Sequence, residues 1–316
     1  MRARVTLPAF IALAVALTAS AQDDALPFVG ASDDQDTILD RLSTRVPREL
    51  EQVGTSSVTL KLDLGVGANA AFKPRTRSHP RGYLSEIAAY RVARALEMDN
   101  VPPVVGLRIP RRLMEARFTS DHEEDWEAIR QEILWDAPGV ARGASIHWIP
   151  RMRSTPLATY EGLSEAGPWL RIDQPMPPPE RSAIARDLST MLAFDYLIGN
   201  WDRFSGGNVS TDDGEQRLFV RDHNVAFQAP LTDHRYERLR GLLERSQRFS
   251  RAFVEAVRGL GEARIRAALA EDPEAEIRDI LSDEQIDGVL SRRRAFLSYV
   301  GALIALHGEA AVLAWE

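Results

Sequence analysis

An apolar helical pattern runs directly into a short polar stretch, DYLIGNWDRFSGGN, at residues 195–208. The pattern begins at Glu180, and its inner face carries Ile184, Leu188 and Met191 at helical spacing. The polar stretch groups two aspartates, an arginine and two asparagines around three glycines. A helix that ends in so many acceptors and turn-forming residues predicts a tight loop. That loop is either a well-capped turn or a place where metal and phosphate meet.

A hairpin is predicted immediately after this loop. Asp212-Asp213-Gly214 lies between two strand-like runs, and Asp-Gly in that position is typical of a hairpin turn. A hairpin brings its two ends together, so Asp202, Asn208 and Asp222 are expected to converge at one spot. Two carboxylates and an amide oxygen are hard ligands suited to magnesium or manganese.

The N-terminal half reads as strand, glycine turn, strand and helix. SVTLKLDL (57–64) alternates like a half-buried strand, and AFKP reads as the next strand. Between them, Gly65 and Gly67 form a turn whose bare N–H groups can face phosphate oxygens. The lysine of AFKP is Lys73, and Glu86 lies on the amphipathic helix YLSEIAAYRVARALE. A strand lysine held by a helical glutamate can be presented to a nucleotide's phosphates.

These parts follow the order found in protein-kinase-like phosphotransferases. FKP, EIAAYRVARAL with VPPVV, DYLIGNWDR and RDHNVAF together resemble the secretory-pathway kinases of the four-jointed type. They are similar, more distantly, to phosphatidylinositol kinases and HipA-type kinases. The resemblance covers about residues 57–228. It implies an α+β, two-lobed protein-kinase-like fold with a small β-rich N-lobe and a larger helical C-lobe.

The resemblance also implies a role for each matching residue. Lys73 matches the phosphate-binding lysine and Glu86 its helix partner. Asp202 matches the loop aspartate that accepts or orients the acceptor's proton. Asn208 and Asp222 match the residues that hold the metal bridging the phosphates. The implied cofactors are ATP and Mg²⁺ or Mn²⁺, and the implied activity is transfer of the γ-phosphate to a hydroxyl.

Several positions depart from the pattern of these kinases. Phe204 stands where they commonly have histidine, Asp202 and Asn208 are one residue further apart than usual, and Asp222 is followed by His223. Two alternatives therefore stay open: a secreted pseudokinase that binds nucleotide or regulates, and an AMP-transferring enzyme on the same fold. Plainer interpretations remain as well, namely a turn-capping Asp202, a strand-ending Asp222, an ordinary glycine turn and a surface ion pair at Lys73.

Three further residues carry expectations of their own. Asp195 lies on the apolar helix face, so we expect a buried acceptor for loop N–H groups rather than a catalytic acid. Arg203 is expected to pair with an acid or to steady the loop. Lysine accounts for only two of the 39 basic residues, Lys61 and Lys73. A surviving lysine hints at a place where a guanidinium does not serve.

The N-terminal sequence predicts export. MRARVTLPAFIALAVALTASAQDD has two arginines, an apolar run and the small-residue exit Ala19-Ser20-Ala21. This pattern is typical of a secretory signal peptide covering 1–21, which implies a periplasmic or secreted protein. We expect 22–150 to form the N-lobe with an N-terminal extension. The segment 151–316 would form the helical C-lobe with the catalytic loop and the hairpin.

Composition narrows the class of partner. Hydrophobic residues make up 44% of the chain, enough for a sizeable core, and the net charge of -7 argues against a nucleic-acid partner. With no cysteine and no zinc-type histidine spacing, a zinc site is not expected. The last apolar run is too short for a membrane span, so no integral span is expected after signal cleavage. The expected partners are a nucleotide and an unknown protein, sugar or lipid acceptor.

Overall fold

The computed structural model describes residues 26–54, 57–120, 123–205 and 207–316. The predicted signal peptide, 1–21, lies outside these residues. Within them the chain forms a sheet-based N-terminal part and a larger, mostly helical C-terminal part. This is the two-lobed α+β arrangement that the sequence predicts.

Two sheets contain all the named strands. One has seven strands in the order β4-β7-β3-β2-β1-β5, with β6 paired to β7, and the other is the three-stranded sheet β10-β9-β8. The strands are β1 Glu49–Gln52, β2 Leu60–Asp63, β3 Asn69–Pro74, β4 Val104–Pro110, β5 Phe118–Thr119, β6 Trp135–Asp136, β7 Val140–His147, β8 Arg153–Ser154, β9 Val209–Thr211 and β10 Leu218–Val220.

Helices pack against the large sheet and build most of the C-terminal part. Three short 3-10 helices lie at Pro156–Ala158, Gly167–Leu170 and Pro273–Glu276. The α-helices are α1 Gln35–Thr44, α2 Gly82–Ala95, α3 Arg111–Arg117, α4 Glu123–Glu132, α5 Tyr160–Ala166, α6 Pro179–Ile198, α7 Asp233–Leu243, α8 Arg251–Gly259, α9 Glu262–Ala270, α10 Asp283–His307 and α11 Glu309–Val312.

Strand alternation sets the direction of the central side chains. In β2 and β3, Leu60 pairs with Phe72 and both are fully buried. Because neighbours along a strand point to opposite faces, Lys73 points to the other face of the sheet. Lys73 pairs with Ala144 of β7, near the middle of the sheet. The lysine is therefore presented by a rigid, hydrogen-bonded strand.

Helix α2 is buried along most of its length. Every residue from Gly82 to Ala93 is buried, because the helix lies between the large sheet and the C-terminal helices. Ser85 Oγ donates to the Ala226 carbonyl at 3.0 Å, and Arg91 Nη2 donates to Asp272 Oδ2 at 3.2 Å. These contacts fix the helix, and with it Glu86, to the C-terminal part.

Helix α6 and the hairpin that follows it position the predicted loop. Every residue from Met191 to Ile198 is buried, and the helix ends at Gly199 with a φ of 72°. That left-handed conformation suits glycine. In the hairpin, Val209 pairs with Val220, and the Arg221 N–H donates to the Asn208 carbonyl at 3.3 Å. The predicted hairpin is thus present, and its two ends meet.

Several short elements lie outside the predictions. The strands β1, β5, β6 and β8 and the helices α3 and α5 were not anticipated, because short elements show too little periodicity to be separated from loops. The acidic sequence at about 121–135 also predicts a helix, and the structure has one there, α4. Among the described residues, no helix is both long and apolar enough to cross a membrane.

Candidate functional site

A cavity of about 330 Å³ lies between the large sheet and the β9–β10 hairpin. One end is apolar, and β7 contributes Ile146 to it. The other end is polar and charged. The apolar lining includes Val101, Pro102, Val104, Ile146, Trp148 and Met152, and the polar lining includes Lys73, Glu86, Asn208, Arg221, Asp222 and His223.

Lys73 joins the two lobes at the polar end of the cavity. Its Nζ lies 2.6 Å from Glu86 Oε1 and 2.8 Å from Asp222 Oδ1. The Glu86 side chain is almost completely buried, whereas that of Asp222 is 36% exposed. Both contacts are charge-assisted hydrogen bonds, which are the stronger kind. The structure therefore brings together three residues that sequence analysis placed in one site.

The electrostatics of Lys73 and Glu86 favour the charged form of each group. Burial alone would lower the pKa of the Lys73 ammonium, but the Glu86 and Asp222 carboxylates raise it to about 12. Burial alone would likewise raise the pKa of Glu86, yet Lys73 and His223 hold it well below its usual range. Opposite charges at hydrogen-bond distance outweigh desolvation here. The site is preorganised as a cation between two anions.

His223 fixes the second oxygen of Glu86. The His223 backbone N–H donates to Glu86 Oε2 at 3.1 Å, and its Nδ1 lies 3.5 Å from the same oxygen. The His223 ring packs edge-on against Phe194 at 5.9 Å between ring centroids. Sequence analysis noted this residue only as a departure. Its position directly after Asp222 was the one available signal.

Asp222 has an unusual backbone conformation. Its φ is 60°, in the left-handed region that aspartate and asparagine enter more readily than other non-glycine residues. Its carbonyl accepts from Asn200 Nδ2 at 3.4 Å, which helps to hold this conformation. Such backbone outliers persist only where surrounding contacts maintain them, and they are concentrated at functional sites.

The expected convergence of three oxygen donors is partly met. Asn208 and Asp222 both line the cavity, but Asp202 does not. Asn208 Nδ2 donates to the Asp202 backbone carbonyl at 3.1 Å. The amide oxygen is left to act as a ligand. In the described part of the chain, no three His, Cys, Asp or Glu side chains cluster closely enough to hold a metal ion.

Gly65 and Gly67 lie away from the cavity. The β2–β3 turn that contains them is at the opposite end of β3 from Lys73, and Gly67 lines a separate cavity of about 700 Å³. The connection that reaches the candidate site joins β1 to β2 and contributes Gly54, Ser57 and Thr59 to the lining. Because β1 was not predicted as a strand, this connection was missed. Gly54, between a strand and a polar run, was the signal.

A buried ion pair supports the loop from beneath. Arg203 is fully buried; its Nε and Nη2 donate to the two carboxylate oxygens of Asp195, each at 2.7 Å. Its Nη1 donates to the carbonyl of Asn208 at 3.0 Å and to that of Arg221. The expectation that Arg203 pairs with an acid is confirmed. Asp195 is the expected buried acceptor, but its partners are Arg203 and the Asn200 side chain instead of backbone N–H groups.

His147, at the end of β7, provides a prediction about acid stability. Burial lowers the pKa of its imidazole from 6.5 to about 4. Between these two pH values the His147 ring is protonated in the unfolded chain and neutral in the folded chain. The free energy of unfolding therefore falls as pH drops from about 6.5 to about 4. At 1.36 kcal/mol per pKa unit, we expect a loss of up to about 3 kcal/mol from this residue. Urea unfolding of wild type and His147→Gln across this pH range measures the loss of unfolding free energy. Equal losses in both proteins would contradict the role of His147.

Several solved structures share this fold. The Golgi casein kinase aligns with a TM-score of 0.67 and 17% identity, over 90% of this chain and 78% of that chain. The same kinase with Mn/ADP bound aligns with a TM-score of 0.65 and 16% identity, over 88% of this chain and 78% of that chain. Hydra Fam20 with sugar aligns with a TM-score of 0.62 and 18% identity, over 91% of this chain and 94% of that chain. No protein-family model matches the sequence, and no curated protein is significantly similar to it.

These likenesses show that the chain has a protein-kinase-like fold. At such low identity they describe architecture, because one fold can carry many activities. The predicted two-lobed fold class is confirmed, and so is the resemblance to secretory-pathway kinases at the level of fold. Chemistry has to be argued from the cavity and its side chains.

Proposed function

We propose that this chain is an exported, ATP-dependent phosphotransferase that moves the γ-phosphate to a hydroxyl acceptor. The observation that carries the proposal is the Lys73 ammonium, held at 2.6 Å from Glu86 and 2.8 Å from Asp222 beside an interlobe cavity. A lysine fixed in this way is a phosphate-binding group. The kinase-like fold supports the same conclusion.

The cavity suits a nucleotide in one orientation. The apolar end would take the base, because Val104, Ile146 and Trp148 supply apolar and aromatic surface. The charged end would take the phosphates, which places them next to Lys73. We assign the backbone contacts to phosphate to the β1–β2 connection around Gly54, in place of Gly65 and Gly67.

The residues present fit a divalent cation. Asp222 offers a half-exposed carboxylate and Asn208 an amide oxygen, both hard ligands, and the nucleotide would supply further oxygens. Mg²⁺ or Mn²⁺ held there would neutralise charge on the phosphates. The Mn/ADP bound to the Golgi casein kinase supports this assignment.

Asp202 is proposed to orient the acceptor hydroxyl. Among the described residues its carboxylate has no hydrogen-bond or ion-pair partner, and the Asn208 side chain holds its backbone carbonyl. In the transfer step, the hydroxyl oxygen bonds to the γ-phosphorus and its proton passes to Asp202. The bond from that phosphorus to the bridging oxygen breaks, and ADP leaves with the electron pair. The acceptor is a protein side chain, a sugar or a lipid head group.

The remaining assignments complete the proposal. Cleavage after Ala21 would release a periplasmic or secreted protein, since the first 21 residues have the pattern of a signal peptide. The lobes would be 22–150 and 151–316, with the cavity between them. A nucleotide-binding pseudokinase is the second candidate. It is favoured by Phe204, which packs on Tyr160 at 5.2 Å between ring centroids where related kinases commonly have histidine.

One set of measurements separates these functions. Residues 22–316 are heated with ATP and Mn²⁺ or Mg²⁺, then assayed with casein, an oligosaccharide and phosphatidylinositol vesicles as acceptors. Thermal stabilisation with label transferred from γ-labelled ATP supports the proposal. Transfer from α-labelled ATP means AMP transfer, and stabilisation without transfer means a pseudokinase. No stabilisation by any nucleotide removes the proposal.

Substituting Lys73 with arginine tests the lysine itself. We expect transfer to fall about tenfold to a hundredfold, because the larger planar guanidinium cannot occupy the same point between two carboxylates and misplaces the phosphate. The measurement is the initial rate of γ-phosphate transfer. Lys61→Arg is the matched control, since Lys61 lies on β2 outside the cavity lining and an arginine can keep both of its contacts, the ion pair with Glu51 at 3.6 Å and the cation–π contact with the Trp148 ring. Equal rates in both variants would contradict the role of Lys73.

A further inference from the structure

Arg221 is a second cation at the polar end of the cavity. It lies directly before Asp222 and lines the same wall as Asn208. Its Nη2 donates to Ser210 Oγ at 3.2 Å and to the Gly207 carbonyl. The guanidinium is therefore anchored at one corner on the hairpin side of the cavity.

The rest of this guanidinium is unused. Arg221 Nε is buried without a hydrogen-bond partner, and neither Nε nor Nη1 meets an acceptor in the described part of the chain. Other buried or half-buried arginines nearby are neutralised, Arg203 by Asp195 and Arg217 by Asp187 and Asp99. A desolvated donor without a partner is costly, so a guanidinium with spare donors beside a cavity is suited to an anion.

The charges around the cavity lead to the same conclusion. Lys73 already faces two carboxylates, those of Glu86 and Asp222, so these three groups together carry one negative charge. A nucleotide's phosphates would add several more. Among the described residues, Arg221 is the lining arginine that makes no hydrogen bond or ion pair with a carboxylate. It is thus the group best able to offset the incoming charge.

We propose that Arg221 binds the phosphate chain of the nucleotide, with its unpaired Nη1 donor on non-bridging oxygens of the terminal phosphates. This inference rests on the proposed function and adds a contact from the hairpin side, opposite Lys73. Arginine's planar fork suits phosphate oxygens, and a charge that faces developing negative charge accelerates phosphoryl transfer. Sequence analysis assigned Arg221 no role.

Nucleotides of different phosphate number test the contact. Dissociation constants are measured by calorimetry for ATP, ADP, AMP and adenosine, with Mn²⁺, on wild type and Arg221→Gln. We expect Arg221→Gln to weaken the binding of ATP about tenfold to a hundredfold, that of ADP by a smaller factor, and that of adenosine not at all. Arg151→Gln is the matched control, because it removes the same charge from an arginine whose side chain is 84% exposed and lies outside this cavity.

The other outcomes are equally informative. Equal weakening of ATP and adenosine would show that Arg221 only supports the cavity wall, and unchanged ATP binding would show no contact; either overturns the inference. If Arg221→Gln does not fold, Arg221→Lys keeps the charge and should weaken ATP by a smaller factor, with the same dependence on phosphate number. A wild type that binds adenosine but not ATP would overturn the inference, and one that binds no nucleotide would remove the proposed function itself.

Discussion

Replacing Asp222 with asparagine is expected to lower γ-phosphate transfer about a thousandfold or more. The change removes a carboxylate that lies at the proposed metal position and also contacts the Lys73 ammonium, 2.8 Å away. Electrostatic groups aimed at the transferred phosphoryl are worth this much in comparable sites. The fold should survive, because Asp222 is 36% exposed and Glu86 still holds Lys73.

The measurement is the single-turnover rate with Mn²⁺ and ATP, alongside a melting curve. Asp213→Asn is the matched control, since Asp213 lies on the same hairpin but at its exposed turn, where it contacts Arg153 at 3.1 Å. We expect this control to keep the wild-type rate. An Asp222→Asn protein that retains a tenth of the wild-type rate would contradict the assignment of Asp222.

Replacing Arg203 with methionine is expected to lower the free energy of unfolding by about 3–5 kcal/mol. The substitution leaves Asp195 as an uncompensated buried charge, which is the costly way to break such a pair. It also removes the donor that holds the carbonyls of Asn208 and Arg221. Arg203 is fully buried, so water cannot replace these contacts.

Urea unfolding at neutral pH measures this loss. The double variant Asp195→Leu with Arg203→Met should recover part of it, because removing both charges is often far less damaging than removing one. Asp195→Leu alone should be as destabilising as Arg203→Met alone. A loss below about 1 kcal/mol in the single variants would mean that the pair behaves like an exposed one.

Much of the fold could be predicted because its key elements have strong local patterns. The Asp212-Asp213-Gly214 turn fixes the hairpin, since the Asp212 carboxylate accepts from the backbone N–H groups of Gln216 and Arg217. Helix α2 was evident from its apolar spacing. What could not be predicted was its burial on every side, because the C-terminal residues that cover it lie far away in sequence.

The candidate site was predictable where the hairpin and the strand register determine it. Lys73, Glu86 and Asp222 come together as expected, although Asp222 is 149 residues from Lys73. Other features depend on side-chain directions that local patterns do not encode. These include the separation of Asp202 from the cavity, the hydrogen bond from the His223 backbone to Glu86 and the Arg221 Nη1 donor left without a partner in the described residues. The glycine turn was misplaced because β1 was too short to be noticed.

The burial of α2 bears on how the proposed transfer activity can be regulated. Many kinases are switched by swinging the equivalent helix outward, which separates the glutamate from its lysine. Here Ser85, Arg91 and Tyr83 tie the helix to distant C-terminal residues, so an outward swing would break all three ties together. If the chain carries out the proposed transfer, we expect it to be constitutively active. Its activity would be set by the supply of nucleotide and acceptor in its surroundings and not by an internal switch.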